Sequence, residues 1–438
     1  MKKLFTMMAL AVLGLFLTAC TSNDDNEELK LANLTVSVTG VDDVKGFEVT
    51  LTNKTTNSNY KATTDAAGDV HFQVTPGIYQ ASVSVTRYQD GYRYVFNGLS
   101  NEITLTANQE STATIELKAA KTSQIIIKEL YNGGCPKDPS GYFANDKCLI
   151  LYNNSAEPAT LNNLCIAFAS PYNAHANNKN YEDGKLTYDG EGFIPAFGGM
   201  WWFQEEITIA PYSQVVVNVS GAIDNTQTYP NSINYANADY YCMYDPESGF
   251  SNTSWYPTPA AVIPTSHYLK AKKLGSANSW PLSNSSPALF VFQTQGITPA
   301  AFAEDADNLW YDGGTVSDIN AAIKVPNEWI IDAIEVYQTA KINDSKKRFT
   351  SDIDAGYVGL TNQLGHVLYR NVNKEATEAL SENAGKLVYN YTLGVDDSTD
   401  PNGIDAEASI KNGAHIIYQD TNNSTADFHE RQKCSLRD

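Results

Sequence analysis

The stretch Ile125-Ile126-Ile127-Lys128-Glu129-Leu130-Tyr131, followed at once by Asn132-Gly133-Gly134, decides the fold. Seven residues rich in β-branched and aromatic side chains, closed by a glycine turn, read as a strand. The pattern repeats downstream in Cys148-Leu149-Ile150-Leu151-Tyr152, Cys165-Ile166-Ala167-Phe168, Gln214-Val215-Val216-Val217, Ala288-Leu289-Phe290-Val291-Phe292 and Ile330-Ile331-Asp332-Ala333-Ile334. Upstream, Leu34-Thr35-Val36-Ser37-Val38 and Phe47-Glu48-Val49-Thr50-Leu51 alternate apolar with polar residues, as half-buried strands do. Further short runs lie between breaks at Asn57, Asp65 with Gly68, Pro76-Gly77, Asp90-Gly91 and Asn97-Gly98. Many short strands at this spacing predict an all-β protein with few short helices, its first domain, 31–118, a sandwich and its second spanning 123–438. One helix is expected between Lys374 and Asn383, ahead of Gly385.

The 438 residues carry 30 basic and 50 acidic side chains, a net charge of −20, with 42% hydrophobic and 11% aromatic residues. That composition excludes a disordered chain. The acidic balance argues against nucleic acid, whose phosphates demand a basic face.

The N-terminus reads as a targeting segment. Lys2 and Lys3 precede an apolar stretch from Met7 to Leu17, too short to span a bilayer comfortably, which ends in Leu17-Thr18-Ala19-Cys20. This resembles a lipobox, so 1–19 is expected to be a lipoprotein signal peptide and Cys20 the lipidated residue. Several acyl chains on one cysteine would anchor the protein in a membrane. The acidic tether 20–30 resembles the surface-export signal of Bacteroidota lipoproteins, which implies display at the outer membrane.

Two further resemblances cover most of the chain. Val49-Thr50-Leu51, Thr64-Asp65-Ala66-Ala67-Gly68 and Pro76-Gly77-Ile78-Tyr79 resemble the transthyretin-like or carboxypeptidase-regulatory-like sandwich, a fold that usually serves as a spacer. From Ile125 onward the strand order resembles a lamin-tail-like, immunoglobulin-type sandwich, with Asp332 fitting its late strand and Cys148 and Ile150 departing from its second. Gly365-His366-Val367-Leu368-Tyr369-Arg370 and Asp420-Thr421-Asn422-Asn423-Ser424-Thr425-Ala426-Asp427-Phe428 resemble the closing segment of such lipoproteins. The second domain as a whole resembles a Bacteroidota lipoprotein family of unknown function, whose members tend to be encoded beside TonB-dependent receptors.

Two insertions, about 170–206 and 220–285, are rich in aromatics, among them Trp201, Trp202, Tyr240, Tyr241, Trp255 and Tyr256. These six are the candidate ligand-binding residues, able to stack on a planar or sugar ligand. They are equally able to form a minor core or a protein interface. Ser398-x-Asp400-x-Asn402-Gly403 has the spacing of a calcium loop, with Asp405 close by, but Ser409 stands where a bidentate Glu belongs. Asp400, Asn402 and Asp405 are therefore weak metal candidates against the plainer reading of an Asx-rich turn. No resident cofactor is implied. The six histidines sit beside no nucleophile motif, so the expectation is non-enzymatic. If Cys20 is lipidated, five cysteines remain, and Cys135 with Cys148, flanking one loop, is the expected disulfide.

The functional expectation is an accessory to a TonB-dependent receptor that captures a ligand, possible cargo being haem or a siderophore. The alternatives are an adhesin or glycan-binding module, and a lipid-anchored hydrolase with a Ser, a His and a carboxylate in one pocket.

Overall fold

The structure is a computed structural model that describes residues 30–89 and 91–437. The segment 1–19, Cys20 and nearly all of the acidic tether lie outside the described residues. Within them the protein is all-β, with only short helices. The described residues divide into two compact units, one comprising 30–85 with 95–119, the other 86–89 and 91–94 with 120–437.

In the first unit, the strand Ala32–Thr39 pairs antiparallel with Asp69–Val74 and parallel with Glu110–Glu116. A second sheet places Asn59–Thr63 beside Glu48–Asn53, and that strand beside Gly77–Gln89. Strict alternation buries Leu34, Val36 and Val38 with Val49, Leu51, Val70, Phe72 and Ile115 in one core. The opposite face of the smaller sheet is a polar ladder: Asn33 to Glu110 at 2.7 Å, Thr35 to His71 at 2.9 Å and Ser37 to Asp69 at 2.6 Å. Tyr79 closes the Pro76-Gly77 turn by donating its hydroxyl to the Thr75 carbonyl at 2.9 Å.

The first-domain expectation of an unbroken 31–118 differs at 86–94, which groups with the second unit. There Gln124 N–H donates to the Gly91 carbonyl at 2.7 Å. Gly91 has a φ of 77°, which a glycine adopts without strain.

The second unit is a sandwich of two six-stranded sheets. One runs in the order Tyr241–Cys242, Gln214–Ser220, Lys147–Asn153, Ile125–Tyr131, Val367–Arg370, Phe428–Arg431. The other runs Lys270–Lys273, Gly199–Trp202, Leu164–Phe168, Ala288–Gln293, Ile330–Gln338, Val358–Leu360. Ile125, Ile127, Leu149, Leu151 and Val217 of the first meet Leu164, Ile166, Leu289, Val291, Ile334 and Val336 of the second in the shared core.

The outward faces are buried as well, which explains the continuous apolar runs in the sequence. Ala167, Phe290, Phe292 and Ala333 face a smaller sheet of Phe193–Phe197, Ala321–Pro326 and Leu309–Tyr311. Ile126, Tyr152 and Tyr369 are covered by Val372, Ile404, Ile416 and Tyr418 of the C-terminal segment. Cys148, Ile150 and Val216 are covered by Ile233 and Tyr235 of the second insertion and by Cys434.

The expected helix from Lys374 to Asn383 is broken. An α-turn, Lys374–Glu378, is capped by the Asn373 side chain, and a separate 3-10 turn, Ser381–Asn383, follows. Asn383 explains the break: its amide donates to the Thr377 and His415 carbonyls, which ties the chain down between the two turns. The expected Cys135–Cys148 disulfide is also corrected. All five described cysteines are free and buried, and strand geometry sends Cys148 into the cluster with Tyr131, Tyr235 and Cys434.

Candidate functional site

The six aromatic candidates do not converge on one binding face. Trp201 is fully buried in the sandwich core, stacked on Phe250 at 5.4 Å and tilted against Tyr256 at 5.8 Å. Tyr256 is 6% exposed, and its hydroxyl accepts the Trp280 backbone N–H at 3.0 Å. The structure places both as core residues rather than ligand-facing ones: Trp201 sits on the strand Gly199–Trp202, covered on both faces, and Tyr256 packs against Trp201 and Phe250. Trp202, half-buried, points to the opposite sheet face and packs with the smaller sheet's core.

Trp255 is half-buried, with the Lys147 ammonium 4.7 Å from its ring centroid. Tyr241 stacks on His267 at 4.1 Å and leans on Phe203 at 4.9 Å, and the Tyr240 carbonyl accepts from the His267 ring at 3.2 Å. Tyr240 itself borders the cluster of Cys148 and Cys434. Of the three readings open to these residues, the minor core takes the largest share.

Lys147 is the most unusual charge in this region. It is fully buried, donates to the Leu282 carbonyl at 2.6 Å, and burial pushes its pKa down to about 7.

The C-terminal segment builds a polar framework that the motif analysis did not single out. A register shift between Ile127 and Glu129 leaves the Ile127 N–H free of the ladder, and Asp332 of the other sheet accepts it at 2.6 Å. Arg370 also contacts Asp332, donates to the Ile127 carbonyl at 2.7 Å and to Asp420 at 3.3 Å, and lies over the Phe428 ring at 4.4 Å. This pair therefore clasps the two sheets. Burial pushes the Asp332 carboxyl up, and Arg370 pulls it back.

Beside it, Lys128 pairs with Glu407 at 2.6 Å. Burial opposes ionisation of Glu407, but Lys128, the Tyr369 hydroxyl and Arg431 hold its pKa below the ordinary value. A second clasp joins Arg348 to Glu335, both fully buried, at 2.6 Å. The signal for the first clasp was visible as Tyr369-Arg370 beside the motif beginning at Asp420. What could not be read was that Asp332, distant in sequence, completes it.

The same segment carries two open grooves. A groove of about 800 Å³ is lined by Asn373, Lys374, Glu375, Glu378, Gln419 and Thr421. A neighbouring one of about 360 Å³ is lined by Glu378, Leu380, Asn383, Leu387 and Tyr389. Glu378 belongs to both.

Asp400, Asn402 and Asp405 serve the backbone. Asp400 accepts the Val372 N–H at 2.7 Å and the Asn402 N–H at 2.9 Å, Asn402 donates to the Val372 carbonyl, and Asp405 caps the helix Ala406–Lys411. Among the described residues no group of three or more His, Cys, Asp or Glu side chains is placed to hold a metal ion. His429 is buried between Asn371 at 2.7 Å and Tyr391 at 2.6 Å, and burial pushes its pKa down to about 3. It is thus neutral, donating through Nδ1 and accepting at Nε2. His366 pairs with Glu430 at 2.7 Å, and the hydroxyl on that carboxylate is Thr361.

Against solved structures, the chain is similar to a DUF4876 family protein from Bacteroides thetaiotaomicron VPI-5482, known from a crystal structure. The TM-score is 0.53 at 21% identity, over 91% of this chain and 94% of that one, a likeness of fold. No curated protein matches the chain. The profile of the DUF4876 family, described as proteins of unknown function, matches residues 210–435, more than half of the chain and nearly all of the clasps and grooves above, so the protein belongs to that family.

Proposed function

We propose that this protein is a non-enzymatic, lipid-anchored protein of the outer-membrane surface that works as an accessory to a TonB-dependent receptor. On this reading Cys20 carries the anchor, and a transthyretin-like first unit serves as spacer. A lamin-tail-like second unit carries recognition. The observation that carries the proposal is the division of labour in the second unit. Most of its large aromatics are consumed by packing, while its larger open groove is lined by Asn373, Lys374, Glu375, Gln419 and Thr421, beside the Asp420 that pairs with Arg370. A polar, open surface suits a protein or a hydrated ligand better than a small apolar one.

The test is a pull-down of the tagged mature protein from detergent-solubilised outer membranes, with partners identified by mass spectrometry. A stoichiometric TonB-dependent receptor is the expected result, and its loss in a Glu378→Lys variant would place the contact at the grooves. Recovery of the lipoprotein alone would remove the accessory role.

A glycan-binding role is the second reading, favoured by Tyr389. This ring is 46% exposed at the rim of the smaller groove, as a sugar-stacking residue would be. Binding on a glycan array that Tyr389→Ala abolishes would favour it over the first.

A further inference from the structure

Cys148 lies on the central strand Lys147–Asn153, and Cys434 in the last turn of the chain. The two thiols are fully buried in one cluster with Tyr131, Ile150, Tyr235 and Val367. Cys434 is held there from both sides. The next residue, Ser435, donates its N–H and its hydroxyl to Glu129 at 2.9 and 2.5 Å, and the Arg437 N–H returns to the Cys434 carbonyl at 3.0 Å. The remaining described thiols are elsewhere. Cys165 faces the smaller sheet, Cys242 sits with Ala222 and Ile263, and Cys135 lies on a short strand paired with Phe143.

We propose that Cys148 and Cys434 are a modification site, closing to a disulfide that staples the C-terminal end to the middle of the sandwich. The inference rests on the export proposed above for its cellular setting, because such bonds persist in an oxidising compartment. The chemistry is exchange with a protein disulfide of the cell envelope. One thiolate of the pair attacks the donor disulfide, forming a mixed disulfide and releasing one donor thiolate. The second thiolate of the pair then displaces the other donor sulfur. The donor leaves as a dithiol, reduced by two electrons, and the two protons of the pair pass to it. Exchange precedes the final docking of the tail. In the folded chain burial pushes the Cys434 thiol well up, so its thiolate is scarce once the cluster has closed.

A bridge between residues so far apart in sequence removes many conformations of the unfolded chain, so reduction should lower Tm by several degrees. The test traps thiols by alkylation in cells expressing the full chain, then maps non-reduced peptides by mass spectrometry. The same purified protein, reduced, is separately refolded with oxidised glutathione. A linked Cys148–Cys434 peptide, two hydrogens lighter than its parts, is expected in both samples. A Cys165→Ser variant should form it unchanged. A link found only after refolding with glutathione supports the pairing and counts against the export reading. Free thiols at both positions in both samples, or a Cys135–Cys148 link in their place, would overturn the proposal.

Discussion

The two units solve the same problem, covering a β-sheet, in different ways. The first exposes one face of its smaller sheet and fills it with a Thr, Ser, Asn and His ladder, so its strands alternate. The second covers both faces of both central sheets, so strands such as Ile125–Tyr131 and Lys147–Asn153 are buried along their whole length. Covering both faces also traps charges. Lys128, Glu129, Lys147, Asp332, Glu335, Arg348 and Arg370 are all buried there. A buried charge is tolerated only when it is paired or richly hydrogen-bonded, or when it gives up its charge. Arg370 and Arg348 take the first course, and Lys147 takes the last above about pH 7.

That contrast can be broken at its strongest point first. Arg370→Ala leaves Asp332 buried without its counter-charge and should cost about 3–5 kcal/mol, read as a lowered urea midpoint for the second unit. A cost near that of a surface pair would show that the clasp is not closed in solution. Trp201→Ala should cost about 3–5 kcal/mol by opening a cavity between Phe250 and Tyr256, while leaving partner or glycan binding per folded molecule unchanged. Lost binding with unchanged stability would return Trp201 to the ligand site.

Lys147 sharpens the comparison through pH. Its amine holds a proton in the folded chain only below about pH 7, but up to about 10.5 once unfolded. Between those values the unfolded chain binds the extra proton, so stability should rise with pH across that window and be flat in this contribution below it. Lys147→Met should remove a rise of roughly 2–4 kcal/mol from denaturation curves taken between about pH 7 and 10. A slope that survives the substitution would mean that the amine is solvated.

The smallest effect concerns Asp405. Its replacement by Ala should cost about 1 kcal/mol through loss of the helix cap. Added calcium should not shift the Tm of either the parent or the variant. A calcium-dependent rise in the parent alone would restore the metal reading.

The all-β class was legible because its signals are local. Alternation in Leu34 to Val38, the apolar run Ile125 to Tyr131 and the glycine turns each depend on a few neighbouring residues. The backbone use of Asp400 and Asp405 was legible in the same way, as Asx chemistry over short spans. The site was less legible. Trp201 and Tyr389 look alike in a sequence, yet one is core and the other rim. The Cys135–Cys148 expectation was read from closeness along the chain, whereas the fold turns Cys148 into the buried cluster with Tyr235 and Cys434.

The sequence by itself determined the strands, the turns and the acidic balance, since these follow from side-chain shape, periodicity and charge. Tertiary structure alone decided which aromatics were buried, that Asp332 would meet Arg370, and that Cys148 would meet Cys434. Those contacts join residues far apart in the chain, and only sheet pairing and the covering of both faces bring them together.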